Sequence, residues 1–242
     1  MERTATVMRA SVESGLVDQA VVVDGGSTDA TMDIAREVGT GVLRACDMLP
    51  HLGPVLGKGD SLYRAVHATE ADAFVFLDAD IGNVHVGHVE ALVEAIRSPG
   101  VSFVKGGFVR IDENGVPRKV PGGRVTEEVG RPLLRMVDPF LGSLSQPLSG
   151  QVAIVSDLAL SIPFATGYGV EIAMLIDVWQ TTGETAIVEA DMGTLHNRWK
   201  SDASLDEVRR QVIAGHALRM QIPSGISHNS HPMVVLRSPR TR

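Results

Sequence analysis

Two spacings of apolar residues alternate along this chain. Short β-branched runs predict buried strands, and apolar positions three and four apart predict helices. A helix is predicted over 4–14, with Val7, Met8 and Val12 on one face, and Gly15 ends it. Strands follow at Gln19–Val23 and 39–45, with a helix over 30–38 between them. Ser61–Ala68 is the next helix, with Leu62, Ala65 and Val66 inward, and Phe74–Leu77 the next strand. A helix at His88–Arg97 stops at Ser98-Pro99-Gly100. Val101–Val104 is then a strand that Phe108–Ile111 extends or pairs with, before the turn Asp112-Glu113-Asn114-Gly115. This β/α alternation predicts a mainly parallel sheet flanked by helices.

The second half is less regular. Thr126 and Glu127 open a helix that Pro132 interrupts, and 146–151 is a turn before the apolar strand 152–155. A Gly-punctuated loop, 162–171, feeds the helix Ile172–Gln180, which is apolar nearly all round and so buried. A strand at Thr185–Ala190 and a helix at Leu205–Arg219 complete the pattern. Without a repeat or linker, residues 1–220 read as one domain, with a loosely ordered tail over 221–242.

Composition narrows the classes. The formal charge of −7 leaves no basic excess for nucleic acid or an anionic membrane surface, and aromatics, at 4%, are too few for base stacking. No apolar run reaches the roughly 20 residues that span a bilayer. One cysteine, Cys46, rules out an internal disulfide framework, and a reduced cytoplasm is the expected compartment.

Three stretches carry candidate chemistry. Phe74–Leu77 runs into Asp78-Ala79-Asp80, and on an extended backbone residues i and i+2 point to one side. Two like charges there suit a hard divalent cation shared with substrate phosphates, and two solvated turn aspartates are the alternative. The loop Asp24-Gly25-Gly26-Ser27-Thr28-Asp29 joins a strand to a helix N-terminus, a place for a phosphorylated ligand or a plain turn. Gly57-Lys58-Gly59 holds an ammonium between two residues that let backbone approach a ligand closely.

The motifs DGGSTDAT, GKGD, FLDAD, GGRVTE, RPLL, QPLSG, PFATGYGVEIAMLID and DMGTLHNR occur in that order over residues 15–215. Together they resemble the glucosyl-3-phosphoglycerate synthases, retaining glycosyltransferases of the GT-A type. The resemblance implies an α/β GT-A fold, a Rossmann-like mixed sheet flanked by helices, with a nucleotide-sugar half over about 1–110 and an acceptor half over about 111–220. It also implies that the family's first strand, with its Pro-Ala-x-Asn-Glu-type turn, is missing from the chain as written.

The implied reaction moves glucose from a nucleotide diphosphate glucose to 3-phosphoglycerate, in a homodimer, with Mg²⁺ or Mn²⁺ as cofactor. Asp78, Asp80 and His196 would hold the metal. Asp24, Ser27, Lys58, Asp78, Ala79 and Glu171 would bind the nucleotide sugar, and Arg124, Val125, Thr126 and Asn197 the acceptor. Asp80, Lys58 and Glu171 would be the catalytic residues. His196-Asn197 is a tighter spacing than the family's His-x-Asn, which leaves the two roles exchangeable, and the basic patch for the acceptor looks thin. Another sugar such as mannose or another small acceptor, and a non-catalytic nucleotide-sugar-binding protein, are the alternatives.

Overall fold

The computed structural model describes residues 1–197, 201–220 and 236–237. Helix α1, Glu2–Glu13, comes first, and Thr4 at its start donates to the Ala79 carbonyl at 3.2 Å. Strand β1, Val21–Asp24, leads into α2, Thr31–Glu37, and β2, Gly41–Arg44, pairs in parallel with β1. Helix α3 is Lys58–Ala68, β3 is Ala73–Phe76, α4 is Val86–Ile96 and β4 is Phe103–Ile111. The two strands predicted at Val101–Val104 and Phe108–Ile111 are thus one.

At Thr126–Gly130 the chain makes one π-helical stretch and then enters α5, Arg131–Val137. Pro132 marks the junction at which the π-helical stretch gives way to α5. It sits in the first turn, where its missing N–H costs nothing. Helix α6, Pro139–Ser143, is followed by β5, Val152–Val155, and α7, Ser156–Ser161. Next come β6, Phe164–Ala165, and α8, Val170–Thr182, buried along most of its length as its apolar sequence predicts. Strand β7, Ile187–His196, and α9, Asp202–Met220, both exceed their predicted lengths. The short β8, Leu236–Arg237, pairs antiparallel with β6, and the rest of the tail read as loosely ordered lies outside the described residues.

The main sheet has the order β3-β5-β4-β7 and is mixed, not mainly parallel: β5 runs antiparallel to both neighbours, while β4 and β7 are parallel. Alternate residues point to opposite faces, and both faces are covered. Val104, Ala153 and Leu195 pack with Val89 and Leu92 of α4. On the other side, Phe103, Val152 and Ile154 share a core with Ile172, Leu175 and Ile176 of α8 and with Leu134 and Leu141. Among the described residues, no ladder joins the β1–β2 pair to this sheet. Nor is any described helix long and apolar enough to cross a membrane.

One buried pair anchors the approach to α3. Arg64 and Asp60 are both fully buried and 3.2 Å apart. The guanidinium also donates to the carbonyls of Met48 at 2.9 Å and Gly53 at 2.8 Å, and Asp60 accepts from the Leu56 amide at 2.9 Å. These bonds fix the irregular segment 45–57 and therefore the place where Lys58 begins its helix.

Candidate active site

Lys58 is the first residue of α3, after Gly57 in a left-handed conformation, φ 87°. Gly59 is required by closeness: a Cβ there would stand 1.9 Å from the Ala165 carbonyl oxygen. Helix α3 is thereby pressed onto the segment that leads to Glu171. Gly59→Ala is expected to force the two apart, costing about 1–3 kcal/mol of stability and most of the turnover. Thermal melts and kcat together check this.

The approach sets up a charged triangle. The Lys58 Nζ lies 2.5 Å from Asp78 Oδ1 and 2.6 Å from Glu171 Oε1. Burial disfavours the ammonium, but the Glu171 and Asp78 carboxylates outweigh it and raise the Lys58 pKa well above its usual value. The lysine is therefore charged throughout the physiological range. Asp78 receives a second contact at its other oxygen, from Gln151 Nε2 at 3.3 Å.

Strand β3 ends at Phe76, two residues earlier than an extended-strand account of Asp78 and Asp80 needs. The two carboxylates instead leave a turn, Asp78 half-buried and Asp80 exposed, and both line the same cavity. Asp80 accepts no hydrogen bond among the described residues. His196 reaches the neighbourhood: its carbonyl accepts from the Gly82 amide at 2.8 Å, and its Nδ1 would lie 2.5 Å from a Cβ on Gly82. Yet no three His, Cys, Asp or Glu side chains among the described residues form a group able to hold a metal. The expected set Asp78, Asp80 and His196 is thus not closed. Two hard carboxylates opening on one cavity fit a Mg²⁺ or Mn²⁺ that takes its remaining oxygens from phosphates and water.

The cavity measures about 580 Å³, a size suited to a small-molecule ligand. Lys58, Asp78, Ala79, Asp80, Arg124, Val125, Thr126, Glu171 and Asn197 line it, so most of the residues expected from the sequence converge on one space. Asp24, Ser27 and His196 are not in its wall. Asp24 spends its carboxylate on its own loop, accepting from the Gly26 and Ser27 amides at 3.1 Å each. Burial pushes the Asp24 pKa up, but the bonds from Ser27 and Gly26 and the charge of Arg44 prevail and hold it below the usual carboxylate range. Its role in the structure is to shape the turn. Arg124 is ion-paired with Asp202 at the start of α9.

The cavity is more basic than the sequence suggested. Arg110, Arg118 and Lys119 join its wall. Arg110 donates through Nη1 to Asn197 Oδ1 at 3.1 Å and through Nε to Gln146 Oε1 at 3.2 Å. Burial lowers the Arg110 pKa, against the opposing charges of Asp78 and Asp80, but a guanidinium remains charged at neutral pH. Its sequence signal was a cation two residues beyond Phe108, on the same side of a strand running to a turn. Five cations and three carboxylates thus line one cavity, an arrangement for a ligand with several negative charges.

The model of glycosyl transferase family 2 matches residues 4–142. The glucosyl-3-phosphoglycerate synthase of Mycobacterium tuberculosis (strain CDC 1551 / Oshkosh) is 41% identical over 218 residues, covering 88% of this chain and 67% of that protein. The chain spans about two thirds of the length of the first curated relatives it matches. Among solved structures, the M. tuberculosis glucosyl-3-phosphoglycerate synthase in complex with Mn²⁺, uridine diphosphate and phosphoglyceric acid superposes with a TM-score of 0.86 at 36% identity, over 98% of this chain and 84% of that one. The mannosyl-3-phosphoglycerate synthase of Rubrobacter xylanophilus superposes with a TM-score of 0.84 at 31% identity, over 96% of this chain and 72% of that one. Family model, sequence identity and superposition thus agree: the fold is the GT-A glycosyltransferase fold, and the chain belongs to the glucosyl-3-phosphoglycerate synthase family within glycosyl transferase family 2.

Proposed function

We propose that this protein transfers glucose from a nucleotide diphosphate glucose, with UDP-glucose the first donor to try, to 3-phosphoglycerate with retention of anomeric configuration. The observation that carries the reading is the Lys58–Asp78–Glu171 triangle in a cavity also lined by Arg110, Arg118 and Arg124. A structural relative of this fold holds Mn²⁺ with uridine diphosphate-glucose and phosphoglyceric acid, and another holds Mg²⁺ with uridine diphosphate.

Asp78 and Asp80 would hold Mg²⁺ or Mn²⁺, which when bound supplies Lewis-acid neutralisation of charge on the leaving diphosphate. His196 would join them from beside Gly82. The Lys58 ammonium donates to diphosphate oxygens, and Glu171 accepts from sugar hydroxyls while keeping that ammonium in place. Asp24 and Ser27 shape the loop beside the nucleotide, and Ala79 lies against it. Arg124, Val125 and Thr126 meet the acceptor, with Asn197 held by Arg110 in the same cavity. The guanidinium groups grip carboxylate and phosphate in two places each. We assign no covalent nucleophile, so positioning and electrostatics carry a front-side displacement. The cavity lies where the donor half, about 1–110, meets the acceptor half, about 111–220. A cytoplasmic homodimer completes the proposal, and sedimentation tests its oligomeric part.

The deciding experiment supplies UDP-glucose and 3-phosphoglycerate with Mn²⁺ or Mg²⁺, beside a nucleotide diphosphate mannose control. Retained-configuration glucosyl-3-phosphoglycerate is expected by NMR. Binding of UDP with no transfer of either sugar would overturn the enzymatic reading in favour of a binding protein. Arg124→Ala is expected to raise the acceptor KM roughly 10- to 100-fold, with the donor KM little changed. An unchanged acceptor KM would remove Arg124 from the acceptor site.

A further inference from the structure

Lys105, on β4, is 1% exposed, yet it carries an ammonium. Its Nζ donates to the Ser149 carbonyl at 2.6 Å, its single hydrogen bond among the described residues. An ammonium has three donors and is costly to take out of water, and an apolar side chain of similar length would serve the fold as well or better. Stability does not account for it.

What Lys105 holds is the turn Ser149-Gly150-Gln151. This turn is closed by the Gln151 amide on Ser149 Oγ at 3.1 Å and tied to β4 by the Gly106 amide on the Gln151 carbonyl at 2.9 Å. Its far side presses on the charged triangle. A Cβ on Gly150 would stand 2.5 Å from both Asp78 Oδ1 and Lys58 Nζ, and Gln151 Nε2 reaches Asp78 Oδ2 at 3.3 Å. From Lys105 an unbroken line of contacts therefore runs through the turn to the carboxylate proposed to hold the metal.

We propose that Lys105 is a positioning residue of the donor site: it braces the 149–151 turn against Asp78 and Lys58 and so sets their geometry without touching either substrate. The assignment rests on the donor site proposed above. The charged groups facing Lys105 are Glu171 on α8, Lys58 on α3, Asp78 beyond β3 and Glu189 on β7. Burial lowers its pKa to about 8, with Lys58 adding to the fall and the three carboxylates opposing it.

The test compares Lys105→Met and Lys105→Gln with the wild type by kcat, by calorimetric binding of UDP in the presence of Mn²⁺, and by thermal melting. Lys105→Met is expected to lower kcat and UDP affinity roughly 10- to 100-fold, as a displaced reacting group does, while its melting temperature holds or rises. Lys105→Gln keeps a donor for the Ser149 carbonyl and is expected to recover part of both losses. Wild-type kcat and UDP affinity in Lys105→Met would overturn the proposal, as would losses matched by a fall in melting temperature and not relieved in Lys105→Gln.

Should Lys105→Met not fold, the pH series of the wild type against Lys105→Gln decides. A lysine whose folded pKa lies below its unfolded value binds fewer protons in the native state, so wild-type stability gains relative to Lys105→Gln as pH rises from about 8 to about 10.5. Over the same window its UDP affinity should fall relative to the variant. Parallel curves would overturn the proposal. A wild type that binds UDP with Mn²⁺ but transfers no sugar would sink the enzymatic reading alone, because binding still decides the role of Lys105. A wild type that binds no UDP would overturn both.

Discussion

Asp80→Ala is expected to abolish sugar transfer, with kcat/KM falling at least roughly 10³-fold, about 4 kcal/mol of transition-state stabilisation. The magnitude follows from its position. Asp80 is exposed at the cavity wall with no hydrogen bond to it among the described residues, so its carboxylate is available for a cation shared with the donor. Asp78 already shares its oxygens with Lys58 and Gln151. Removing Asp80 leaves one engaged carboxylate and the His196 imidazole, too little to hold a cation that prefers oxygen ligands. The same variant is expected to fold normally, because the side chain supports nothing else. Calorimetry of UDP binding with and without Mn²⁺ should show that the metal no longer strengthens binding. Wild-type turnover in this variant would end the metal assignment.

Lys58→Met is expected to lower kcat roughly 10²- to 10³-fold, the range seen when one preorganised donor to developing charge is removed. It should also destabilise the fold. Asp78 and Glu171 would face each other without the cation between them, 2.5 and 2.6 Å from its present position. A broken ion pair of full burial costs about 3–5 kcal/mol, and Lys58 is a quarter exposed, so about 1–3 kcal/mol is expected after solvent screening. The pH dependence has a definite sign. The folded pKa of Lys58 lies above its unfolded value, so its contribution is complete below about 10.5 and lost only as pH rises through the higher folded value. Urea denaturation of wild type and variant should therefore differ by a constant amount from pH 7 to 9. Lys58→Arg is not expected to rescue turnover, because a forked guanidinium does not fit where a compact ammonium meets two carboxylates.

The element order and most of the residues that line the cavity could be read from the sequence because local chemistry specifies them. Gly57-Lys58-Gly59 was read as letting backbone approach a ligand, whereas Gly59 is needed for the close packing of α3 on the Ala165 carbonyl. The direction of β5 could not be read, since an apolar run such as Val152–Val155 has the same pattern whichever way it enters a sheet. That single ambiguity made the β/α alternation point to a mainly parallel sheet, whereas the mixed sheet implied by the family resemblance is the one observed. Arg110, Arg118 and Lys119 were missed for a related reason. Each looks like a solvated residue near a turn, and only the register of β4 against β7, with Ile111 opposite His196, brings Arg110 to Asn197. Asp24 was expected beside the nucleotide, and its carboxylate closes its own loop: an aspartate two residues before a glycine can satisfy that loop as well as a ligand. Lys105 gave no signal, because a lysine in a strand reads as an edge residue until both faces of the sheet are seen to be covered.

The antiparallel entry of β5 between β3 and β4 also governs when the donor site can form. Asp78 lies in the turn after an early strand, and the turn that steadies it, 149–151, precedes a later strand, with Gln151 lying 73 residues further along the chain. On the ribosome, at about 5–20 residues per second, Asp78 emerges seconds before its brace exists. Contacts this distant in sequence close late in refolding as well, after loop entropy has been overcome. Nucleotide affinity should accordingly return in the slowest phase, behind the helical signal of α3 and α4, and a nascent chain released before residue 155 should bind no donor.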